Sequence, residues 1–246
     1  LSQFVSPSNR NPDVFELFSA GLHQGTGSIE LGNHDLKQEK SVKFTQSLGL
    51  KTGKKMQWKI DGFVQAYSNY IYLKDQNEIR QTIRGAFPVF QYEQGHALFY
   101  GIDLVNSVHL SKRINLRTTV NSVVNRLNTH KNQIPFSPPT MVSMKLSYTS
   151  LPSEKAFRLT SSFQCTWVDK VQKSTEADFL DRTPSAYRLA DFSIGLEHDK
   201  NDKKWLIKLD IDNLFNAQYR DVLNRMHLFA DERGFDAAIK LLYFIN

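Results

Sequence analysis

The stretch at residues 56–66, Met-Gln-Trp-Lys-Ile-Asp-Gly-Phe-Val-Gln-Ala, alternates between apolar and polar side chains. Trp58 and Ile60 lie on one parity, whereas Lys59 and Asp61 lie on the other. Successive side chains of a β-strand point to opposite faces. This stretch therefore predicts a strand with one apolar face and one polar face.

The same alternation recurs along the chain, and within the central spans its apolar parity carries no charged residue. The opposite parity carries Lys, Arg, Asp or Glu in nearly every stretch. Together with a short strand at 1–5, the pattern predicts nine further strands, at 41–51, 56–72, 97–111, 114–126, 142–148, 157–167, 190–197, 205–212 and 237–246.

The connections between these strands alternate in length. Short turns are predicted at 52–54, 111–113, 152–154 and 201–203. Long segments are predicted at 6–40, 73–94, 127–138, 169–186 and 217–235. Short periplasmic turns and long extracellular loops are typical of outer-membrane barrels. The predicted strands are also longer than the roughly five or six residues that are usual in a β-sandwich. The pattern favours a transmembrane barrel.

The aromatic residues near the strand ends fit the interfacial girdles of such a barrel. They are Tyr70, Tyr72, Tyr148, Trp167, Trp205 and Tyr243. The stretch Phe87–Tyr92 is also rich in β-formers, but Pro88 cannot donate to a ladder. We therefore assign it to an extracellular loop, which keeps all long segments at the same end.

Composition excludes several other classes. The net charge is +6, from 31 basic and 25 acidic residues. The basic residues are scattered rather than clustered, so we expect no nucleic-acid partner. The chain contains no run of eighteen apolar residues, so no transmembrane helix is predicted. The single Cys165 allows no internal disulfide. The chain starts within the pattern, without a Met or signal peptide, so we expect it to be part of a longer exported protein.

Residues 9–41 contain a motif that resembles one of the TonB-dependent receptors. It reads Arg-Asn-Pro-Asp-Val-Phe-Glu-Leu-Phe from Arg10, followed by Gly-Asn at residue 32 and Glu-Lys-Ser at residue 39. The residues that match the family's motif here are Arg10, Pro12, Glu16, Leu17, Gly32, Asn33 and Glu39.

Two later stretches also resemble this family. Residues 134–139, Ile-Pro-Phe-Ser-Pro-Pro, are similar to the Pro-rich entrance to a late barrel strand. Residues 212–221 are similar to the Asn-Leu-Phe-Asn element near the C-terminus of these receptors. The matching residues of that element are Asn213, Leu214, Phe215, Asn216 and Tyr219.

The resemblance covers essentially the whole chain and implies a 22-stranded barrel around an N-terminal plug, in the outer membrane of a Gram-negative bacterium. Residues 1–246 would then be the C-terminal portion, about ten antiparallel strands, with the plug and the earlier strands absent. The family uses energy from the TonB complex, which it contacts through a TonB box. Two departures stand out: Arg233-Gly234-Phe235 replaces the usual Pro-Gly-Arg, and the chain does not end on an aromatic residue.

The motif residues are expected to have mostly structural roles. Arg10 and Glu16 can pair where the first long segment returns to the barrel. The glycines at 21, 25, 27 and 32 would permit positive φ in that segment. The element at 213–219 would fix the end of a strand through side-chain hydrogen bonds.

No catalytic constellation is visible, so we expect a transporter rather than an enzyme. The family favours uptake of a scarce nutrient, most often a ferric siderophore, with zinc, copper, haem or cobalamin as alternatives and no intrinsic cofactor. A passive porin or an outer-membrane enzyme is the alternative from another class. The polar-face charges would equally suit a water-filled lumen, and they are Lys59, Asp61, Arg117, Lys145 and Arg158.

Five histidines fall in or beside the predicted extracellular loops. Imidazole can bind a metal ion or a haem iron. The candidate ligands are His23, His34, His96, His130 and His227.

Two further expectations concern the arrangement of the sheet. Ile102, Leu146 and Ile207 should point outward from the sheet. A fragment of a larger barrel should form an open curved sheet, because its missing neighbours leave two unpaired edges. No ladder should therefore join residues 1–5 to residues 237–246.

Overall fold

The computed structural model of the protein describes residues 1–127, 134, 136–151, 157–170, 184–200 and 203–244. Alternating sequence has produced long strands, as expected, and a few short elements lie in the connections. The helix is α1 (Val14–Phe18), and a 3₁₀ turn spans Arg225–Leu228. The strands are β1 (Ser2–Arg10), β2 (Ala20–His23), β3 (Ser28–Leu31), β4 (Glu39–Thr52), β5 (Met56–Thr82), β6 (Gly85–His109), β7 (Ile114–Leu127), β8 (Met141–Thr149), β9 (Phe157–Val168), β10 (Tyr187–Lys200), β11 (Lys203–Asp212) and β12 (Asp236–Phe244).

All of the strands belong to a single sheet. Its order is β1-β4-β5-β6-β7-β8-β9-β10-β11-β12, with each strand antiparallel to its neighbours. Strand β3 pairs with β2 and, in parallel, with β6. In the described part of the chain no ladder joins β1 to β12. The sheet is therefore open, which confirms the sequence prediction.

The register brings the apolar parity of every long strand onto one surface, which we call the apolar face. Gly62 pairs with Ile102 across β5 and β6, and Leu146 pairs with Phe163 across β8 and β9. Ile207 pairs with Leu241 across β11 and β12. Directly opposed residues of an antiparallel pair point to the same side, so one apolar surface runs from β4 to β12.

The side chains of the apolar face are exposed rather than packed into a core. Ile102 is 43% exposed, and Leu146 and Ile207 are each 45% exposed. The outward direction predicted for these three residues is confirmed. Among the described residues, no helix is long and apolar enough to cross a membrane.

The opposite surface, which we call the polar face, carries paired charges and amides. Lys59 lies 2.9 Å from Asp61. The amide of Asn121 donates to Asp103 Oδ1 at 2.7 Å. Strand β4 keeps this alternation over 14 residues, well beyond the usual strand length.

The long loop predicted at 73–94 is wrong, since β5 continues to Thr82 and β6 begins at Gly85. The assignment of Phe87–Tyr92 to a loop is wrong for the same reason. These residues form part of β6, which continues with β5 into a hairpin far beyond its other neighbours. Pro88 pairs with Ile79 directly after a β-bulge, a place where the missing N–H of proline is tolerated. Because the stretch lengthens β6 and adds no strand, the long connections still lie at one end of the sheet, which we call the long-loop end.

Other boundaries also differ from the sequence prediction. Strand β1 continues to Arg10, and the segment at 6–40 contains α1, β2 and β3. Strand β3 covers part of the free edge that β6 presents beyond its pairing with β7, at Val89. The predicted turn at 152–154 lies outside the described residues, as do most of the long segments at 127–138 and 169–186.

The buried apolar residues lie mainly near the long-loop end. Tyr72, Ala97, Leu127 and Ile134 form a buried cluster, against which Tyr70 and other aromatic rings pack. Val89 has no exposed surface. The core of this chain therefore lies beneath its long connections rather than between two layers of secondary structure.

Candidate functional site

The long-loop end contains a cluster of three charged side chains, Arg10, Glu16 and Glu39, which we call the Arg10 clasp. Arg10 donates to both oxygens of Glu16, at 2.8 Å and 3.0 Å. It also donates to both oxygens of Glu39, at 3.2 Å and 3.3 Å. The Arg10–Glu16 pair predicted from the motif is therefore present. The side chain of Arg10 remains 42% exposed, and its two carboxylate partners raise its pKa.

Local sequence explains how Glu16 reaches this position. Asp13 caps α1 by accepting a hydrogen bond from Phe15 N–H, and Glu16 accepts one from Asp13 N–H at 2.7 Å. This reciprocal pair is a capping box, which fixes the start of a helix. Glu39 in turn accepts a hydrogen bond from Ile71 N–H at 3.0 Å. The clasp therefore ties α1 to β1, β4 and β5.

The glycines of this segment have different roles from those expected. Gly27 has a positive φ of 58°, as predicted. Gly21, Gly25 and Gly32 do not, so the prediction is wrong for those three. A β-carbon on Gly32 would collide with the backbone of α1 at Leu17. Gly32 is thus required because two backbone segments approach closely, not because of its φ.

The motif near the C-terminus fixes the exit of β11. Asn213 has a φ of 49°, and its amide donates to Ala217 O at 2.9 Å while accepting from Ala217 N–H at 2.8 Å. Its backbone N–H donates to Asp191 Oδ1 at 3.0 Å. Asn216 accepts a hydrogen bond from Phe235 N–H at 2.9 Å. The expected locking of a strand end by side-chain hydrogen bonds is confirmed.

The remaining motif residues support these contacts. The N–H of Asn33 donates to Glu16 O at 2.9 Å, beside Gly32. The N–H of Leu214 donates to Ala190 O at 2.7 Å. The ring of Tyr219 packs on that of Tyr187, with 4.5 Å between centroids. Pro12 directly precedes the capping residue of α1, and Phe215 is 75% exposed.

A second cluster, which sequence reasoning missed, joins connections that are far apart in the chain. We call it the Arg225 clasp. Arg225 Nη2 donates to Glu30 Oε1 at 3.2 Å and to Ser28 Oγ at 3.3 Å. The hydroxyl of Tyr92 donates to the other oxygen of Glu30 at 3.1 Å. Thr26 donates to Glu30 Oε1 at 3.1 Å.

Aromatic rings enclose this second clasp. The guanidinium of Arg225 lies 4.6 Å from the centre of the Phe136 ring and 5.5 Å from that of Phe90. The side chain of Glu30 is only 8% exposed. Burial and the nearby carboxylate of Glu30 raise the pKa of Tyr92 to about 12. Burial lowers the pKa of Arg225, although Glu30 opposes that shift.

The Arg225 clasp bridges a long distance across the sheet. Its 3₁₀ turn lies between β11 and β12, whereas Glu30 lies on β3 beside β6. Five strand spacings separate β6 from β11 in the sheet order, or about 24 Å along the sheet. The connections therefore reach across the intervening strands and meet at the long-loop end. Because Glu30 neutralises Arg225, the clasp holds the connections together and leaves little free charge for a ligand.

Two predicted histidines lie in the first long segment. His23 Nδ1 lies 2.9 Å from Thr26 Oγ1. The ring of His34 packs edge-on against Phe18, with 4.9 Å between centroids. Each side chain thus has a partner of its own, and neither contact joins one histidine to the other.

The other histidines lie elsewhere. His96 is exposed on the apolar face, whereas His227 is buried with its Nδ1 2.6 Å from Asn224 O. His130 lies outside the described residues. No group of three or more His, Cys, Asp or Glu side chains in the described ranges is arranged to hold a metal ion. Metal ligation by the five histidines stays a prediction.

The fold and these clasps define a class. A sheet of long antiparallel strands, with an exposed apolar face, an opposite polar face and long connections that meet at one end, is typical of an outer-membrane β-barrel. Residues 5–214 match the family described as "TonB dependent receptor-like, beta-barrel". The chain therefore belongs to the TonB-dependent receptor family, which is one of transporters and receptors rather than enzymes.

Solved structures of such receptors share this fold. The copper transporter OprC superposes with a TM-score of 0.77 at 19% identity, covering 98% of this chain and 37% of that one. The siderophore receptor PirA from Acinetobacter baumannii gives 0.65 at 14% identity, covering 98% and 38%. The ferric preacinetobactin receptor BauA from the same organism gives 0.59 at 15% identity, covering 98% and 34%. At these identities the likeness establishes the fold alone, and the chain spans less than two fifths of each structure.

Proposed function

We propose that residues 1–246 form the C-terminal portion of the barrel of an outer-membrane receptor that imports a ferric siderophore with energy from the TonB complex. The observation that carries the proposal is the family match over residues 5–214, on a sheet whose apolar face is exposed along its whole width. A plug and a TonB box elsewhere in the receptor would supply the contact with TonB.

The strands have the length that this proposal requires. Strand β4 has 14 residues, which extend over about 46 Å at roughly 3.3 Å per residue. Tilted at about 45°, such a strand spans about 32 Å, close to the thickness of a hydrocarbon core. Side chains such as Phe44 and Ile102, each more than 40% exposed, would then contact lipid instead of water.

The polar face would line the lumen of the barrel. Its charges are arranged as pairs, as in Lys208 with Asp210 at 2.6 Å. The Arg10 and Arg225 clasps would hold the connections at the extracellular end, where a ligand first meets the receptor. The neighbours PirA and BauA are named for siderophores, which supports a ferric siderophore as the first candidate.

A second candidate is a metal such as copper or zinc. Its support is the structural likeness to a protein named as a copper transporter, together with His23 and His34 in the first long segment. Haem and cobalamin remain alternatives within the same family. The passive porin and the outer-membrane enzyme gain no support from the family match.

Uptake by cells distinguishes these candidates. A strain lacking the receptor gene is complemented with the full-length receptor and given radioactive iron on a panel of catecholate and hydroxamate siderophores, or copper or zinc alone. We expect complementation to restore accumulation of iron with one siderophore class and to require an intact TonB complex. Membrane fractionation should place the receptor in the outer membrane.

Other results would contradict the first candidate. TonB-dependent accumulation of copper or zinc, without any siderophore-dependent iron, would favour the second candidate. In that case, replacing His23 and His34 with Ala should lower metal accumulation. Uptake that persists without TonB would reject both candidates and favour a porin.

A further inference from the structure

The apolar face ends, towards the long-loop end, in a row of polar side chains. Lys40 on β4 pairs with Ser68 on β5, and the next row inward is Val42, Ala66 and Leu98. His96 precedes Leu98 by two residues on β6 and therefore shares its face. Lys40, Ser68 and His96 line one shallow cavity of about 450 Å³, whose floor includes Val42, Ala66 and Leu98.

A third basic residue lies beside this cavity. Arg126 pairs with Leu98 across β6 and β7 and points to the apolar face, where it is exposed. From the row of Lys40, Ser68 and His96 to the opposite end of the sheet, the apolar-face positions of β4, β5, β6 and β7 carry no Asp or Glu. Lys40, His96 and Arg126 therefore form a purely basic cluster at the edge of an apolar surface.

The cations of the two faces differ in their partners. On the polar face, Lys59, Lys208 and Lys240 each lie within 3 Å of a carboxylate oxygen. In the part of the chain that the structure describes, Lys40 and Arg126 have no carboxylate partner. An anion that neutralises them must therefore come from outside the described residues.

A second cavity continues inward from the first, on the same strands. It has a volume of about 610 Å³ and lies where Gly62 leaves a gap in the apolar face. Phe44, Val64 and Tyr100 line it on the side of the long-loop end, and Ile60 lines it on the opposite side. A β-carbon on Gly62 would meet only one backbone oxygen, at 4.0 Å, so the gap is open towards the apolar surroundings.

We propose that this surface binds a phosphorylated lipid of the outer leaflet, with the phosphate at Lys40, His96 and Arg126 and an acyl chain in the groove over Gly62. The proposal rests on the membrane location given under the proposed function. A phosphate matches the cluster in charge and accepts hydrogen bonds from Lys, Arg and Ser. An apolar groove directly below the cluster suits a lipid and not a free anion. The transported ligand would instead approach from the polar face.

Native mass spectrometry of the purified full-length receptor tests this inference. The protein in mild detergent is mixed with dioleoyl phosphatidylglycerol or with dioleoyl phosphatidylcholine, which have the same acyl chains but differ in net headgroup charge. We expect the receptor to retain the anionic lipid at least about tenfold more, since one lost charged contact of about 1.4 kcal/mol changes an equilibrium tenfold.

Substitutions test whether the lipid binds at this surface. Lys40→Ala combined with Arg126→Ala should abolish this headgroup preference. Lys43→Ala is the matched control, because Lys43 lies on the same strand but on the polar face, over the Phe63 ring. Gly62→Leu should reduce retention of both lipids, because it fills the groove without a backbone collision.

Three results would overturn the inference: equal retention of both lipids, retention unchanged in the double variant, or complete displacement by inorganic phosphate. The last would identify a simple anion site. Because the assay uses purified receptor, its outcome is separate from cellular uptake. A receptor that carries copper could still bind lipid here, and a siderophore receptor without headgroup preference would refute only this inference. Heat-dependent mobility on gels checks that each variant is folded.

Discussion

The two clasps of the long-loop end use the same chemistry in different surroundings. In the Arg10 clasp, Arg10 is 42% exposed and its two glutamates lie within 29 residues of it in the chain. In the Arg225 clasp, Arg225 is 23% exposed, and its partner Glu30 lies 195 residues away. The first fastens a segment to the strands beside it, whereas the second joins connections from opposite parts of the sheet.

The difference in burial determines how much stability is lost when one member of a clasp is removed. An exposed ion pair is screened by water and contributes little net stability, typically below about 1 kcal/mol. A buried pair also contributes little compared with an apolar replacement, but breaking it leaves a charge without a partner, which is costly. We therefore expect the two clasps to respond very differently to the loss of one member.

The largest effect should come from Glu30→Ala. Arg225 would remain between Phe90 and Phe136 without its carboxylate, and Tyr92 would lose its acceptor. We expect the free energy of local opening to fall by about 3 kcal/mol. Hydrogen exchange of the reconstituted receptor measures this, as a loss of protection of about a hundredfold at residues 25–31 and 220–230.

Glu78→Ala is the control for that experiment. Glu78 pairs with Arg80 at 3.0 Å, but both side chains are nearly half exposed. Its loss should change protection by less than about threefold. Equal effects of the two substitutions would show that burial does not distinguish these ion pairs.

A smaller effect should follow from Arg10→Lys. Lysine keeps the charge but cannot form the two-pronged contacts that Arg10 makes with Glu16 and Glu39. We expect the opening free energy of residues 11–38 to fall by about 1 kcal/mol, and the difference to shrink at high salt. A loss as large as that of Glu30→Ala, or one unaffected by salt, would place the Arg10 clasp in the same class as the buried one.

The smallest effect concerns the protonation of Tyr92. Its pKa is raised from 10.0 to about 12, so the clasp gains stability that is complete below pH 10 and is lost as the pH rises through about 12. The tyrosinate absorbance of the receptor, minus that of its Tyr92→Phe variant, reports this single group. We expect a midpoint near 12, which Glu30→Gln should lower while burial keeps it above 10. A midpoint of 10 in the unchanged receptor would mean that Tyr92 is solvated.

The same contrast explains which parts of the site could be read from sequence. Arg10, Glu16 and Asn213 belong to short motifs whose partners lie nearby in the chain or on a paired strand, so their contacts could be foreseen. Arg225 and Glu30 are single residues without a local pattern. No spacing in the sequence indicates that two connections will meet at the long-loop end.

The open sheet was expected from the family resemblance of the motifs, whereas the alternation of side chains by itself determined most of the strands and their two faces. These depend on the period-two placement of residues such as Trp58 and Lys59, which backbone geometry converts directly into faces. The prediction at Phe87–Tyr92 was wrong because the tolerance of Pro88 depends on a bulge in the partner strand, which is not a local property. Tertiary structure alone decided the Arg225 clasp and the basic cluster beside the Gly62 groove. Both arise where the register brings separate strands and connections together, and only the folded sheet fixes those distances.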